Sequence, residues 1–265
     1  MVSWLPRLRN CLSCMLASAL VVGCLRPAAV GRGCLRPAAV GRGCLRPAAV
    51  GRGCGPAVPT SGAVTPRETA PRCIVELPPP ATSGSVSLEA ALTARQSIRD
   101  YTDQALSLED LAQLFWSAQG VTRPWGGRTA PSAGALYPLE LYAATGDAVY
   151  HYLPAQHQAE IWLDEDIRAS LWAAGLRQEA LKQAPAVFIL TAVYARTSTK
   201  YGDRAERYVK LEAGHAAQNL LLQVAALNLG AVPIGAFVDA DVSAALGLSP
   251  GEDPLYLIPV GHPAE

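Results

Sequence analysis

From residue 76 to the C-terminus the chain has no cysteine. That excludes a thiol nucleophile, a disulfide staple and a cysteine-bound metal from the larger part of the protein. Lysine is nearly as scarce there: Lys182, Lys200 and Lys210 join nine Arg against 21 Asp and Glu, which leaves this part at −9. An acidic body of this kind is unsuited to nucleic acid. The overall neutrality hides an opposite imbalance at the front. Residues 1–75 carry ten Arg, no Lys and one acid, Glu68, for +9, together with all seven cysteines (Cys11, Cys14, Cys24, Cys34, Cys44, Cys54, Cys73). Half of the whole chain is apolar, enough for a sizeable core.

The front segment reads as an export signal followed by a tether. Arg7 and Arg9 precede twelve apolar or small residues, Cys11 to Val22, too few to cross a bilayer. The run ends Val21-Val22-Gly23-Cys24. This resembles a bacterial lipobox, which implies cleavage after residue 23 and acylation of the Cys24 thiol. Plain secretion and a start placed too early are the alternatives. Gly-Cys-Leu-Arg-Pro-Ala-Ala-Val-Gly-Arg then occurs three times, at 23–32, 33–42 and 43–52. Proline and two glycines per ten residues forbid a continuous helix, and the period fits no solenoid. Residues 24–75 are therefore expected to form a disordered basic linker, solvated or resting on an anionic membrane surface. Cysteines ten residues apart lack zinc-site spacing, so no metal is expected.

Regular elements begin after the linker. Ser87 caps an expected helix over Leu88–Ala94, and Ser107 caps another that runs to Gln119 and stops at Gly120. Leu139–Thr145 and Val149–Leu153 flank Gly146-Asp147-Ala148 as a hairpin. A helix over about 164–183, a strand at Ala186–Val193 and a long helix over Arg207–Asn228 follow. Strands at Val232–Val238 and Leu255–Val260 enclose a short helix, Ala240–Leu246. Strands alternating with helices imply an α+β sandwich around one sheet.

Four segments carry chemistry. Arg95-Gln96-Ser97-Ile98-Arg99 offers guanidinium forks and a small hydroxyl, the groups a phosphate ester binds. Arg128-Thr129-Ala130-Pro131-Ser132-Ala133-Gly134-Ala135-Leu136-Tyr137-Pro138 is a loop of small residues that lets backbone approach a flat ligand. Gly230-Ala231-Val232-Pro233-Ile234-Gly235-Ala236-Phe237 follows the long helix. Lys200-Tyr201 precedes that helix, which contains Glu212-Ala213-Gly214-His215-Ala216-Ala217-Gln218-Asn219. His215 reads as a helix-packing residue rather than a catalyst.

In this order, over residues 76–265, these segments resemble the nitroreductase-like FMN-dependent oxidoreductases. The branch they resemble includes thiazoline and oxazoline (azoline) dehydrogenases. The resemblance implies a homodimer whose fold is a mostly antiparallel central sheet flanked by helices, with FMN in the dimer interface and hydride passing through flavin N5. It implies that Arg95, Gln96 and Ser97 hold the ribityl-phosphate, although many relatives have a basic residue where Gln96 stands. Arg99 would face the N1 edge of the ring and Ser132 its polar rim. The backbone at Gly235 or Ala236 would donate to N5, and His262 would approach the phosphate. The chain ends before the basic residues that classical nitroreductases supply further on, so Arg95, Arg99, Arg128, His262 or a second subunit would replace them. Lys200 and Tyr201 match the pair of azoline dehydrogenases, where one or the other would act as the base. Three functions remain in view: a nitroreductase-like enzyme using NADH or NADPH on a small molecule, an azoline dehydrogenase acting on a peptide, and a non-catalytic flavin-binding surface lipoprotein.

Overall fold

A computed structural model of the protein describes residues 72–264. The expected signal, the Cys24 acylation site and nearly all of the repetitive linker lie outside the described residues.

The described chain is built on one seven-stranded sheet of order β1-β4-β3-β2-β5-β7-β6, with every strand pair antiparallel. The strands are β1 (Ile74–Glu76), β2 (Leu139–Ala144), β3 (Val149–Leu153), β4 (Gln158–Leu163), β5 (Ala186–Val193), β6 (Gly230–Ala231) and β7 (Glu252–Gly261). The helices are α1 (Leu88–Ala94), α2 (Leu108–Gln119), α3 (Arg168–Ala174), α4 (Glu179–Gln183), α5 (Tyr194–Tyr201), α6 (Ala205–Ala226) and α7 (Asp239–Leu246).

The centre of the sheet is buried on both faces because successive side chains of a strand point to opposite sides. Phe188 and Leu190 of β5 join Leu114 and Phe115 of α2 and Leu220 of α6 in one core. Val187 and Ile189 join Leu171 of α3, Leu181 of α4 and Val242 of α7 in the other. Three layers result, helix on sheet on helix. Ser107 accepts from the Asp110 N–H at 3.0 Å while the Asp110 carboxylate accepts from the Ser107 N–H at 3.1 Å, a closed capping box at the head of α2.

Several expectations need correction. The helix expected over 164–183 is two helices, α3 and α4, because Leu176 and Arg177 both take left-handed backbone at φ 57° and 56°. Gln178 stabilises the break by donating from Nε2 to the Gly175 carbonyl at 2.9 Å. The strand expected over Val232–Val238 is absent: β6 stops at Ala231, and only Ile234 regains the sheet, exchanging bonds of 2.8 and 3.0 Å with Leu257. Pro233, which has no N–H, interrupts the ladder. Three elements had no counterpart in the sequence reading: β1, β4 and α5. The sheet also takes in Ile74 and Val75, just before the expected boundary at residue 76.

Candidate functional site

Two strips of chain lie side by side at one end of the sheet. After α1, residues Arg95–Tyr101 run parallel to the segment beginning at Gly230: the Ile98 N–H donates to the Ala231 carbonyl at 3.0 Å, and Ser97 bridges to Ala231. Glycine at 230 makes this approach possible, since a Cβ there would fall 2.7 Å from Ile98 Cγ2. The C-terminus closes the other side, with the Thr102 N–H donating to the His262 carbonyl at 2.9 Å and the Ala264 N–H to the Asp100 carbonyl at 3.0 Å. The Tyr101 hydroxyl sits 2.5 Å from the Ile98 carbonyl and 3.2 Å from that of Pro259. Burial holds this phenol far above its ordinary pKa, so it stays a neutral donor.

This pairing has a groove toward each end. The first, about 230 Å³, is lined by Arg95, Gln96 and Ile98 against Val224, Asn228 and Pro263. Arg95 is half-buried there, and its guanidinium has no hydrogen-bond or ion-pair partner among the described residues. The second, about 580 Å³, is lined by Arg99, Gln178, Val232, Pro233, Gly235 and Ala236, among others. Gly235 and Ala236 are exposed, and neither N–H finds an acceptor among the described residues. Gln178 ties this stretch down by donating to the Ala236 carbonyl at 3.0 Å. Arg99 is exposed, with only a 3.5 Å contact to the Ser97 carbonyl.

The Ser132 loop lies elsewhere and is built differently. Gly134, Ala135 and Tyr137 all have positive φ, at 63°, 55° and 45°, an uphill backbone that other contacts must hold. Tyr137 is gripped at every polar point. Its N–H donates to Ser132 Oγ at 2.9 Å, its carbonyl accepts from Arg196 at 3.1 Å, and its hydroxyl accepts from the Arg128 N–H at 3.2 Å. The Arg128 guanidinium stacks over its ring at 4.4 Å and donates to Gln119 Oε1 at 2.8 Å. Burial lowers the pKa of Arg128, which is turned inward and is not a free phosphate ligand as the sequence reading allowed. Behind the loop, α6 presents Glu212, 3% exposed. Burial pushes its carboxyl up to about 7, against the opposing influence of the Ser132 hydroxyl, Arg128 and the Ala133 N–H.

Lys200 and Tyr201 meet this loop. A Cβ at Gly134 would stand 3.0 Å from both Lys200 Nζ and Tyr201 Oη, so the two functional groups converge on the one position without a side chain. They sit at the C-terminal end of α5, where Lys200 is exposed and the Tyr201 ring packs edge-on against Tyr208 at 5.0 Å.

The structure thus gathers the expected residues into two groups. Arg95, Gln96, Ser97, Arg99, Gly235 and Ala236 belong to the paired strips, and Ser132, Lys200 and Tyr201 to the loop. Neither groove contains a residue of the loop group. His262 is fixed beside Thr102 through its backbone, but only its neighbour Pro263 lines a groove. His215, expected to pack, is exposed on the chain's outside. Sequence reasoning missed Gln178, concealed inside a supposed helix. It gave Glu212 no role, although the buried stripe Val209, Ala213, Ala216 and Leu220 places it on the inner face of α6.

A profile of the nitroreductase family matches residues 92–262. The chain belongs to the nitroreductase family. Its members are FMN-dependent oxidoreductases, typically homodimeric, and FMN is the cofactor here. A nitroreductase homologue of Methanocaldococcus jannaschii is 42% identical over 186 residues, covering 68% of this chain and 93% of the relative. A crystal structure described as a nitroreductase from Ralstonia eutropha superposes with a TM-score of 0.66 at 30% identity, over 72% of this chain and 90% of that one. A chain of the microcin synthetase McbBCD complex of Escherichia coli, with truncated pro-MccB17 bound, gives a TM-score of 0.59 at 24% identity over 64% and 70%, a likeness of fold.

Proposed function

We propose that this nitroreductase-family chain is an FMN-dependent oxidoreductase working as a homodimer, with NADH or NADPH as donor and a small molecule as acceptor. One observation carries the reading: Gly235 and Ala236, whose N–H groups are unengaged among the described residues, line the same groove as Arg99. FMN, when bound, supplies a reversible hydride acceptor whose reduced ring is rich in negative charge. Backbone donors and a cation placed beforehand stabilise such charge without reorganising at the moment of transfer. Arg95, half-buried and unpaired at the other end of the strips, suits the ribityl-phosphate, with Gln96 and Ser97 as its polar neighbours. His262 is assigned a place near the phosphate only through its neighbour Pro263.

The separation of the two groups supports a shared site. Neither groove of one chain includes the Ser132 loop, which fits a flavin that touches the strips of one copy and the loop of another. Leu88 and Leu92 on α1 and Leu211 on α6 are 61%, 53% and 53% exposed, on two helices packed against each other. Apolar side chains left in water at this density favour association.

The convergence of Lys200 Nζ and Tyr201 Oη on Gly134 favours a second reading, oxidation of azoline rings in a modified peptide. In that reading one of the two removes a proton as hydride leaves the adjoining carbon. Purified protein separates the possibilities. A yellow protein, bleached by NADH or NADPH and recoloured by a nitroaromatic or quinone, supports the first. Azoline oxidation lost in Lys200→Ala with flavin retained supports the second. A protein that holds flavin but never turns over is a flavin-binding module. For location, the basic start and the run ending at Gly23-Cys24 support export with Cys24 acylated. Mass spectrometry of the mature N-terminus tests this, and an intact Met1 contradicts it.

A further inference from the structure

Between Ile234 and the head of α7 the chain crosses the larger groove with little to hold it. Ile234 exchanges bonds of 2.8 and 3.0 Å with Leu257, and the Val238 N–H donates to the Ala174 carbonyl at 2.9 Å. Gly235, Ala236 and Phe237 lie between these anchors, and none of their N–H groups has an acceptor among the described residues. Packing does not brace the span either, since a Cβ at Gly235 would meet nothing nearer than Tyr256 Cε1 at 4.0 Å. Among the described residues, one hydrogen bond reaches the span itself: Gln178 donates from Nε2 to the Ala236 carbonyl at 3.0 Å.

The peptide plane makes that bond directional. A trans peptide points its C=O and the following N–H in opposite directions. Holding the Ile234 carbonyl on Leu257 therefore turns the Gly235 N–H away from β7. Holding the Ala236 carbonyl on Gln178 fixes the next plane but one, which carries the Phe237 N–H. The Ala236 N–H belongs to the plane between them. Glycine at 235 offers that plane little steric resistance to rotation, so its restraint has to come from the anchored neighbours. The backbone goes uphill to bring Gln178 there: Leu176 and Arg177, both with a Cβ, stand left-handed at φ 57° and 56°. The amide that follows sets its two Nε2 protons on two carbonyls, Gly175 at 2.9 Å and Ala236 at 3.0 Å. A side chain whose whole task was to end α3 would need the first bond alone.

We propose that Gln178 is a positioning residue: through the Ala236 carbonyl it keeps the N–H groups of the Gly235–Phe237 span turned toward a ligand in the groove that Arg99 lines. The proposal rests on the reading of this strip as the one that meets the reactive edge of FMN. Donors held in advance meet arriving negative charge without reorganising, whereas a loosened span must first reorder. A neutral amide achieves this without adding a charge beside the ring.

The test compares full-length wild type with Gln178→Met, which keeps the reach of the side chain and removes both donors, and with Gln178→Glu, which keeps its shape and cannot donate when ionised. Without flavin, amide 15N relaxation should give Gly235, Ala236 and Phe237 order parameters of about 0.85 in wild type and below about 0.6 in both variants. Ile234 and Val238 should change little, because their bonds do not involve Gln178. With FMN bound, Gln178→Met, which adds no charge, should weaken binding of the reduced form about tenfold relative to the oxidised form, the weight of one misaligned donor to charge. That ratio lowers the midpoint potential by about 30 mV for a two-electron couple. A span that stays ordered in Gln178→Met overturns the proposal, even if α3 and α4 loosen or the melting temperature falls. So does a potential that stays put while the span loses order. Should neither variant fold, wild type decides: an ordered span with slowly exchanging Gln178 side-chain amide protons supports the proposal, and a disordered span overturns it. Wild type that takes up no FMN sinks the cofactor reading, and the order of the span still decides whether Gln178 holds it.

Discussion

The paired strips and the Ser132 loop face opposite demands. On the strips, donors are left open: the guanidinium of Arg95 and the N–H groups of Gly235 and Ala236 have no partner among the described residues. In the loop nearly every polar group is engaged, and three residues are held in left-handed backbone by Tyr137, Arg128 and Arg196. In the proposed function the open side receives the ligand, at little structural cost. The locked side spends its hydrogen bonds on holding a shape. Losing an open group should therefore cost affinity, and losing a locked one should cost stability.

The largest effect should come where the strips depend on close approach. Gly230→Val would drive side-chain atoms into Ile98, already 2.7 Å from a bare Cβ. Overpacking of this kind costs about 3 kcal/mol, read as a lowered denaturation midpoint together with loss of flavin uptake. Next comes a paired experiment on two arginines. Arg95→Ala should weaken FMN binding roughly thirtyfold, the weight of a charge-assisted hydrogen bond, with the melting temperature unchanged. Arg128→Ala should instead lose about 2 kcal/mol of stability, since it abandons buried Gln119 and the Tyr137 ring. Equal effects of both on both quantities would erase the contrast between the two regions.

A smaller effect concerns pH. His151 has both ring nitrogens 2.9 Å from carboxylates, Nε2 to Glu140 and Nδ1 to Glu160, so it serves both only as imidazolium. Burial alone would lower its pKa, but hydrogen bonds and charge from the two acids outweigh burial and raise it. Glu140 shows the converse: burial would raise its pKa, and His151 with Arg196 bring it down. A raised histidine contributes fully below its unfolded value of about 6.5 and loses that contribution as pH rises through the folded value. The lowered Glu140 contributes above its unfolded value and loses it as pH falls through the folded one. Stability should thus peak on the acid side of neutrality. His151→Gln should flatten the fall above about pH 6.5, a slope worth roughly 1 to 2 kcal/mol in denaturant titrations. Arg196 bonds both Glu140 and the Tyr137 carbonyl, so this network also braces the loop. Smallest of all, Ser107→Ala should cost about 1 kcal/mol by opening the α2 capping box.

The parts of the fold legible in the sequence are those dictated by local chemistry. Ser87 and Ser107 marked helix starts correctly, and Ala186–Val193 declared a strand buried on both faces. The helix expected over 164–183 failed because its break is held by left-handed backbone at Leu176 and Arg177 and by a tertiary bond from Gln178 to Ala236, which no apolar pattern carries. The β4 strand was missed for a related reason. Gln158–Leu163 mixes polar and apolar residues because Glu160 faces His151 and Arg72 rather than solvent alone. For the candidate site, the sequence displayed the motifs but not their division into two groups, since that depends on how α5 and the strips sit on the sheet. Glu212 stood in a quoted motif and drew no attention because burial, which gives it meaning, is invisible in an isolated acid.

The central claim is that one chain lacks a complete flavin site and two chains supply it. The direct measurement is FMN titration of a variant carrying Leu88→Glu, Leu92→Glu and Leu211→Glu, alongside sedimentation. All three side chains are exposed and belong to neither residue group of the site. The expected result is a folded monomer, with unchanged far-ultraviolet circular dichroism, that no longer retains FMN while wild type binds it as a dimer. A monomeric variant that keeps wild-type affinity would contradict the account.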